Sequence, residues 1–173
     1  MSEDILFLDL ATQMGWCEGA PEARPVSGTM RLGRKGATDA EVFGTMMAWI
    51  GDRLSEKRYA RVVFEAPVGP GMAGKTQFKT ARRLGGLCAI VEAVCHLTGH
   101  PVYQASASSI RKQVLGDGRP ENPKEAVIAH VQSLGFQPKD DNEADAIAGW
   151  LYACAVQDQK DPPLLRKSRR KAG

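Results

Sequence analysis

Apolar and polar positions along the chain follow two periods, one of strands and one of helices. Ile5-Leu6-Phe7-Leu8 is an unbroken apolar run ending at Asp9, the pattern of a buried strand with a carboxylate at its C-terminal end. Gly15-Trp16-Cys17 and Val26 to Leu32 read as two further strands, with Gly19, Pro21 and Pro25 marking the turn between them. These three strands are expected to form an antiparallel meander. Thr38 or Asp39 can cap a helix, with Glu41 at capping-box distance from Thr38. Phe43, Met46, Met47, Ile50 and Leu54 then recur at three and four, which predicts one helix face.

Arg61-Val62-Val63-Phe64 is a fourth strand, and it delivers Glu65. Pro67, Gly69, Pro70, Gly71 and Gly74 predict a loop. A helix follows from about Thr76 to Leu97, with Leu84, Leu87, Cys88, Val91, Val94 and Cys95 along one face; Gly99 ends it and Pro101 prevents its return. Val102-Tyr103-Gln104 is a fifth strand. Ser106 opens a short helix to Leu115, Pro123 begins another that Gly135 stops, and a last helix is predicted from Ala144 to about Val156. An antiparallel meander followed by alternating helix and strand predicts an α/β fold, a five-stranded mixed sheet flanked by helices in the order βββαβαβ and then helices.

A length of 173 residues, 43% hydrophobic and 25% charged, suits one globular domain, expected over 1–160. No apolar run approaches the roughly eighteen residues of a membrane span, and the acidic start lacks the basic, apolar pattern of a secretory signal. No membrane association and a cytoplasmic location are therefore expected. The net charge of +3 is unevenly spread. Pro162-Pro163 sets off a basic tail, 161–173, that carries Arg166, Lys167, Arg169, Arg170 and Lys171 and reads as a non-specific polyanion contact or a solvated terminus. Cys17, Cys88, Cys95 and Cys154 form no C-x-x-C pair and read as reduced core thiols. His96, His100 and His130 are scattered and read as structural or surface residues.

Candidate chemistry comes from three acids in costly places. Asp9 and Glu65 each end an apolar strand, and Asp145 sits among Ala144, Ala146, Ile147 and Ala148. Charge at the edge of a buried element is disfavoured unless paired or bound to metal. If the first and fourth strands are neighbours and the last helix packs over their ends, the three acids meet. Such a cluster suits a hard divalent cation, Mg²⁺ or Mn²⁺, and phosphoryl chemistry with two ions. The alternative is that each acid only terminates a strand or begins a helix. Lys75, Lys79, Arg82 and Arg83, with no acid between them, stand where they could contact phosphates; Arg31, Arg34 and Lys35 form a second basic group. A solvated face explains either group alone.

Several of these segments together resemble the RuvC-type Holliday junction resolvases, within the ribonuclease H-like nucleases. The resemblance runs through Leu8-Asp9 with Gly15-Trp16, Val63-Phe64-Glu65, Arg83-Leu84-Gly85-Gly86, Ser109 to Gly116, Lys124-Glu125-Ala126-Val127, and Asn142-Glu143-Ala144-Asp145 with Ala146-Ile147-Ala148. It implies a ribonuclease H-like fold and a homodimer that nicks two strands of a four-way DNA junction symmetrically, using Mg²⁺. By position it implies Asp9, Glu65 and Asp145 as metal ligands, Arg111 and Lys124 near the scissile phosphate, and Lys112 in the same basic segment. The family's acid or histidine three residues before the last aspartate is here Asn142. Asp141 with Asn142 shares a helix face with Asp145, while Glu143 stays open as a competitor if the helix starts later. The family's aromatic wedge after the glutamate has Phe78 as its nearest counterpart, which also reads as a core residue. Other readings are a related nuclease cutting other branched DNA or RNA–DNA hybrid, and a junction-binding protein that does not cleave.

Overall fold

The computed structural model describes residues 3–67 and 78–156. Five strands form one mixed sheet: β1 (Ile5–Asp9), β2 (Gln13–Gly19), β3 (Val26–Arg31), β4 (Arg61–Glu65) and β5 (Val102–Ala105). Their order across the sheet is β3-β2-β1-β4-β5. β1 pairs antiparallel with β2, and β2 with β3, which is the expected meander. β1 pairs parallel with β4, and β4 with β5.

Five helices cover the two faces: α1 (Asp39–Glu56), α2 (Phe78–Thr98), α3 (Ala107–Leu115), α4 (Pro123–Ser133) and α5 (Asp141–Ala155). The strand period of two sorts β1 between two cores. Leu6 and Leu8 pack with Met46, Ile50, Leu87 and Val91 under α1 and α2. Ile5 and Phe7 pack with Val127, Val131, Ala146 and Ile147 under α3 to α5. A strand buried on both faces reads as a continuous apolar run, which is why Ile5 to Leu8 shows no alternation. Among the described residues no helix is long and apolar enough to cross a membrane.

The differences from expectation are local. α1 buries Val42, Met46, Ile50 and Leu54, whereas Met47 is exposed and Phe43 is half-buried against Gly86. Thr38 completes a capping box with Glu41, and the buried stripe keeps Met46, Ile50 and Leu54 with Val42 in place of Phe43 and Met47. α5 starts at Asp141 rather than Ala144, because the Asp140 carboxylate accepts a hydrogen bond from the Glu143 N–H at 2.9 Å and caps it there. Lys75, the expected helix start at Thr76, and the basic tail lie outside the described residues. The four cysteines are free, and three are buried, as core thiols would be.

Two glycines let α5 lie close on the sheet. A Cβ at Gly149 would lie 2.0 Å from the edge of the Phe7 ring, and a Cβ at Gly15 would lie 2.0 Å from the Asn142 carbonyl oxygen. The second approach is backbone to side chain, so no rotamer change relieves it. Gly15→Ala is expected to lift the start of α5 and cost about 3 kcal/mol, roughly 6–12 °C in Tm. Gly44, inside α1 with open space around it, is the contrast: Gly44→Ala should hold or raise Tm. Thermal melts of the two variants check this pair.

Candidate active site

Register places the first two acids side by side. Leu8 pairs with Phe64 in the parallel β1–β4 ladder, so Asp9 and Glu65 are the next residues of adjacent strands. Both share the parity of Phe7 and Val63, and therefore face α5. Opposite Asp9 on β2 is Gly15, the residue on which the first turn of α5 rests. Because the helix begins at Asp141, residues 141, 142 and 145 share the face turned to Asp9. The condition set by the sequence, neighbouring first and fourth strands with the last helix over their ends, is met.

The electrostatics report one interacting group. Asp9 is pushed up to about 7, first by burial and then by Glu65, Asp145 and Asp141, with Lys124 opposing. Glu65 is also raised to about 7, by burial and then by Asp145, with Arg111 opposing. Burial and Asp141 raise Asp145, against Lys124 and Arg111. Asp141 moves the other way, because the Lys124 ammonium donates a hydrogen bond to its Oδ2 and holds the charged form. Three acids whose ionisation is suppressed by burial and then by neighbouring carboxylates mark a site short of positive charge. Asp9 and Glu65 line a cleft of about 120 Å³ with Leu10, Ala66, Pro67, Leu84 and Cys88.

The oxygen donors of this group, the carboxylates of Asp9, Glu65, Asp141 and Asp145 with the Asn142 carboxamide beside them, suit a hard cation. Among the described residues no three of these groups are drawn together tightly enough to ligate an ion as they stand. Burial first, and neighbouring carboxylates second, disfavour the charged forms of Asp9 and Asp145. A divalent cation would remove the repulsion.

The remaining candidates separate. Glu143 is turned away from the cluster. It is 5% exposed, its Oε1 accepts from Ser27 Oγ at 2.8 Å on β3 and its Oε2 from the Lys139 N–H at 2.8 Å. The early start of α5 is the reason: with the cap at Asp140, position 143 faces the sheet edge, and the competing assignment of Glu143 as a ligand is corrected. Phe78 is 84% exposed at the first residue of α2, so the core reading is also corrected. Arg83, grouped with the phosphate-contacting residues, is committed to the fold. Its Nε donates to Asp39 at 2.8 Å, one terminal nitrogen to the Ala37 carbonyl at 2.8 Å, and the other to Thr12 Oγ1 at 3.3 Å. Arg82 touches Asp39 at 3.3 Å yet is largely exposed.

Lys79 is exposed and lines a second cleft of about 520 Å³ with Leu10, Ala11, Thr12, Thr80, Arg83 and Leu84, beside the first. Lys112 is exposed on α3, and Arg111 is half-buried beside Glu65 and Asp145. Sequence reasoning missed the tie from Arg83 to Asp39 and the Ser27–Glu143 bond. Partners 44 and 116 residues apart leave no local spacing to read.

No protein-family model matches the chain, and no curated protein does. Solved structures do. The structure of Thermus thermophilus RuvC superimposes with a TM-score of 0.71 at 21% identity, over 88% of this chain and 94% of that one. T. thermophilus RuvC in complex with a Holliday junction substrate gives 0.70 at 18% identity, over 90% and 94%. The yeast mitochondrial Holliday junction resolvase Ydc2 gives 0.62 at 12% identity, over 87% and 78%. The fold is the RuvC-type, ribonuclease H-like fold that the sequence segments resemble.

Proposed function

We propose that this chain is a divalent-metal-dependent endodeoxyribonuclease that resolves four-way DNA junctions by paired, symmetric nicking. The observation that supports it most is the convergence of Asp9, Glu65, Asp141 and Asp145 on one face, with burial and mutual repulsion raising three of them. Likeness of fold to resolvases, one of them solved with a Holliday junction substrate, supports the choice of DNA.

In this reading Asp9, Glu65 and Asp145 hold two Mg²⁺ ions, which Mn²⁺ can replace, with Asp141 and the Asn142 carboxamide completing the set. The ions, when bound, supply activation of water and stabilisation of the leaving oxygen. Arg111, beside Glu65 and Asp145, offers a fixed cation to a non-bridging phosphate oxygen. Lys124 is released from Asp141 to do the same once that carboxylate turns inward. Lys79, Lys112 and Arg82 contact flanking phosphates, and exposed Phe78 stands ready to stack on an unpaired base. A homodimer supplies the second cut. α2 exposes Ala81, Gly85, Ala89 and Ala93 at intervals of four, and Leu97 after them, a stripe that a two-fold mate can pack against.

The test is a cleavage panel of four-way junction, flap, RNA–DNA hybrid and linear duplex with Mg²⁺. Paired symmetric cuts in the junction alone are expected. Cutting of hybrid or flap in preference would move the assignment to another ribonuclease H-like nuclease. Tight junction binding without cleavage in either metal would make the chain a binder, the reading that Asn142 at an acid's position favours.

The basic residues divide by role. Arg83→Ala is expected to lower stability by about 2 kcal/mol through its lost charged hydrogen bonds. Lys79→Ala should leave the melt unchanged and reduce the salt slope of junction binding by about one. Melts and salt-dependent gel-shift titrations of both variants separate the two effects.

A further inference from the structure

The second basic group stands at the same end of the sheet as the acids. Arg31 ends β3 opposite Gln13, and two residues back along the same ladders Thr29, Gly15 and Asp9 lie in register. Two strand spacings and two residues put Arg31 about 12 Å from Asp9, between three and four base-pair rises of duplex DNA. Arg31 has the parity of Ser27, which bonds Glu143, so it lies on the α5 face beside the acidic site.

Arg34 and Lys35 follow at the apex of a tight turn closed by the Ala37 N–H on the Arg34 carbonyl at 3.0 Å, with Gly36 at φ +83°. The turn is anchored from both ends. The Leu32 N–H donates to the Thr12 carbonyl at 2.8 Å, in the connection that leaves Asp9, and Leu32 and Ala37 are buried. Arg83 grips the Ala37 carbonyl.

All three cations are exposed, and among the described residues none has an acidic partner. The nearest acids in sequence are already taken: Asp39 by Arg82 and Arg83, and Glu41 by the Thr38 cap. At the opposite end of the sheet the cations Arg53 and Lys57 are neutralised by Glu18 and Asp4. Arg24 and Arg58, at that same opposite end, are spent on the Gly135, Thr98 and Gly99 carbonyls. Arg31, Arg34 and Lys35 are therefore unspent positive charge on an anchored segment, with Arg31 within a few base-pair rises of the acids.

We infer that Arg31, Arg34 and Lys35 form a second contact surface, which grips the phosphate backbone of a duplex DNA arm flanking the cleavage site. The inference rests on the nuclease reading for its geometry, but its substrate chemistry, a duplex polyanion, is read from the charges alone. It carries no sequence preference, because phosphate contacts carry none.

The experiment compares wild type with the triple variant Arg31→Ala, Arg34→Ala, Lys35→Ala, without divalent metal, on a four-way junction and on linear duplex across a salt series. The slope of log affinity against log salt is expected to shrink by about 2 to 3 on both substrates. The double variant Arg31→Lys, Arg34→Lys should keep the wild-type slope. An unchanged slope in the triple variant overturns the inference while leaving junction cleavage by wild type untouched. If wild type cuts no junction, the nuclease reading fails, and the duplex titration still decides this surface. Failure of wild type to bind any DNA overturns both.

Discussion

Asp9→Asn is expected to reduce junction cleavage by at least about 10³-fold, some 4 kcal/mol of transition-state stabilisation, while junction affinity holds or rises. The asymmetry follows from the site. Asp9 sits beside Glu65 on adjacent strands and feels Asp145 and Asp141 across the start of α5. In the proposed reading, removing its charge takes one ligand from a shared cation site, yet it also relieves repulsion against an incoming phosphate. Glu65→Gln should behave alike. Glu143→Gln should not: both Glu143 oxygens are engaged by Ser27 and the Lys139 backbone, so its effect belongs to stability and leaves the cleavage rate within a few-fold. Single-turnover cleavage beside gel-shift binding reads all three variants. Loss of cleavage in Glu143→Gln with full activity in Asp9→Asn would dismantle the site as assigned.

The same variants carry the second large effect, in the absence of metal. Asp9 and Glu65 are both raised to about 7 in the folded protein, against about 4 in an unfolded chain. Between those values the folded state holds more protons than the unfolded one, so stability falls as pH rises from about 4 to about 7 and levels off above. Metal-free wild type is expected to lose several degrees of Tm across that window. Asp9→Asn, which no longer ionises, should melt several degrees above wild type at pH 8 and level with it at pH 4. Mg²⁺ should raise the Tm of wild type at pH 8 and release protons on binding, and should do neither in Asp9→Asn. Melts at two pH values with and without Mg²⁺ check the sign. A wild type whose metal-free Tm climbs from pH 4 to 8 in step with the variant's would contradict the coupling.

These effects connect fold and chemistry. A cluster of half-buried acids is expected to weaken the metal-free protein at neutral pH. The site is held open to that strain by α5, which approaches the sheet through Gly15 and Gly149 and is fastened at its first turn by Glu143. Such local cost at a site, offset by packing elsewhere, is the usual cost of pre-organised charge.

Much of this was legible in the chain. Ile5 to Leu8 and Arg61 to Phe64 announce buried strands through apolar runs, and each run ends on its acid, so Asp9 and Glu65 stand out without any structure. The Thr38 cap and the Gly99 stop are likewise local events, readable because the groups that make them lie within a few residues. The start of α5 was not legible. Lys139 to Glu143 offers several polar residues able to cap, and only packing against Gly15 and Ser27 selects Asp140. That choice of three residues turned Glu143 away from the other acids and towards the sheet edge. Arg83 shows the same limit: in sequence it is one more cation in a basic run, and in space it is bonded to Asp39, Ala37 and Thr12.

What the sequence by itself determined is the order of elements, the α/β class and the placing of Asp9 and Glu65 at the ends of apolar strands, because short-range periodicity and caps depend on neighbours a few positions away. What only the tertiary structure decided is which side chains share a face and which charges are spent on one another. Those depend on strand register and on helix contacts between residues dozens of positions apart, and no local pattern encodes a distance across a fold.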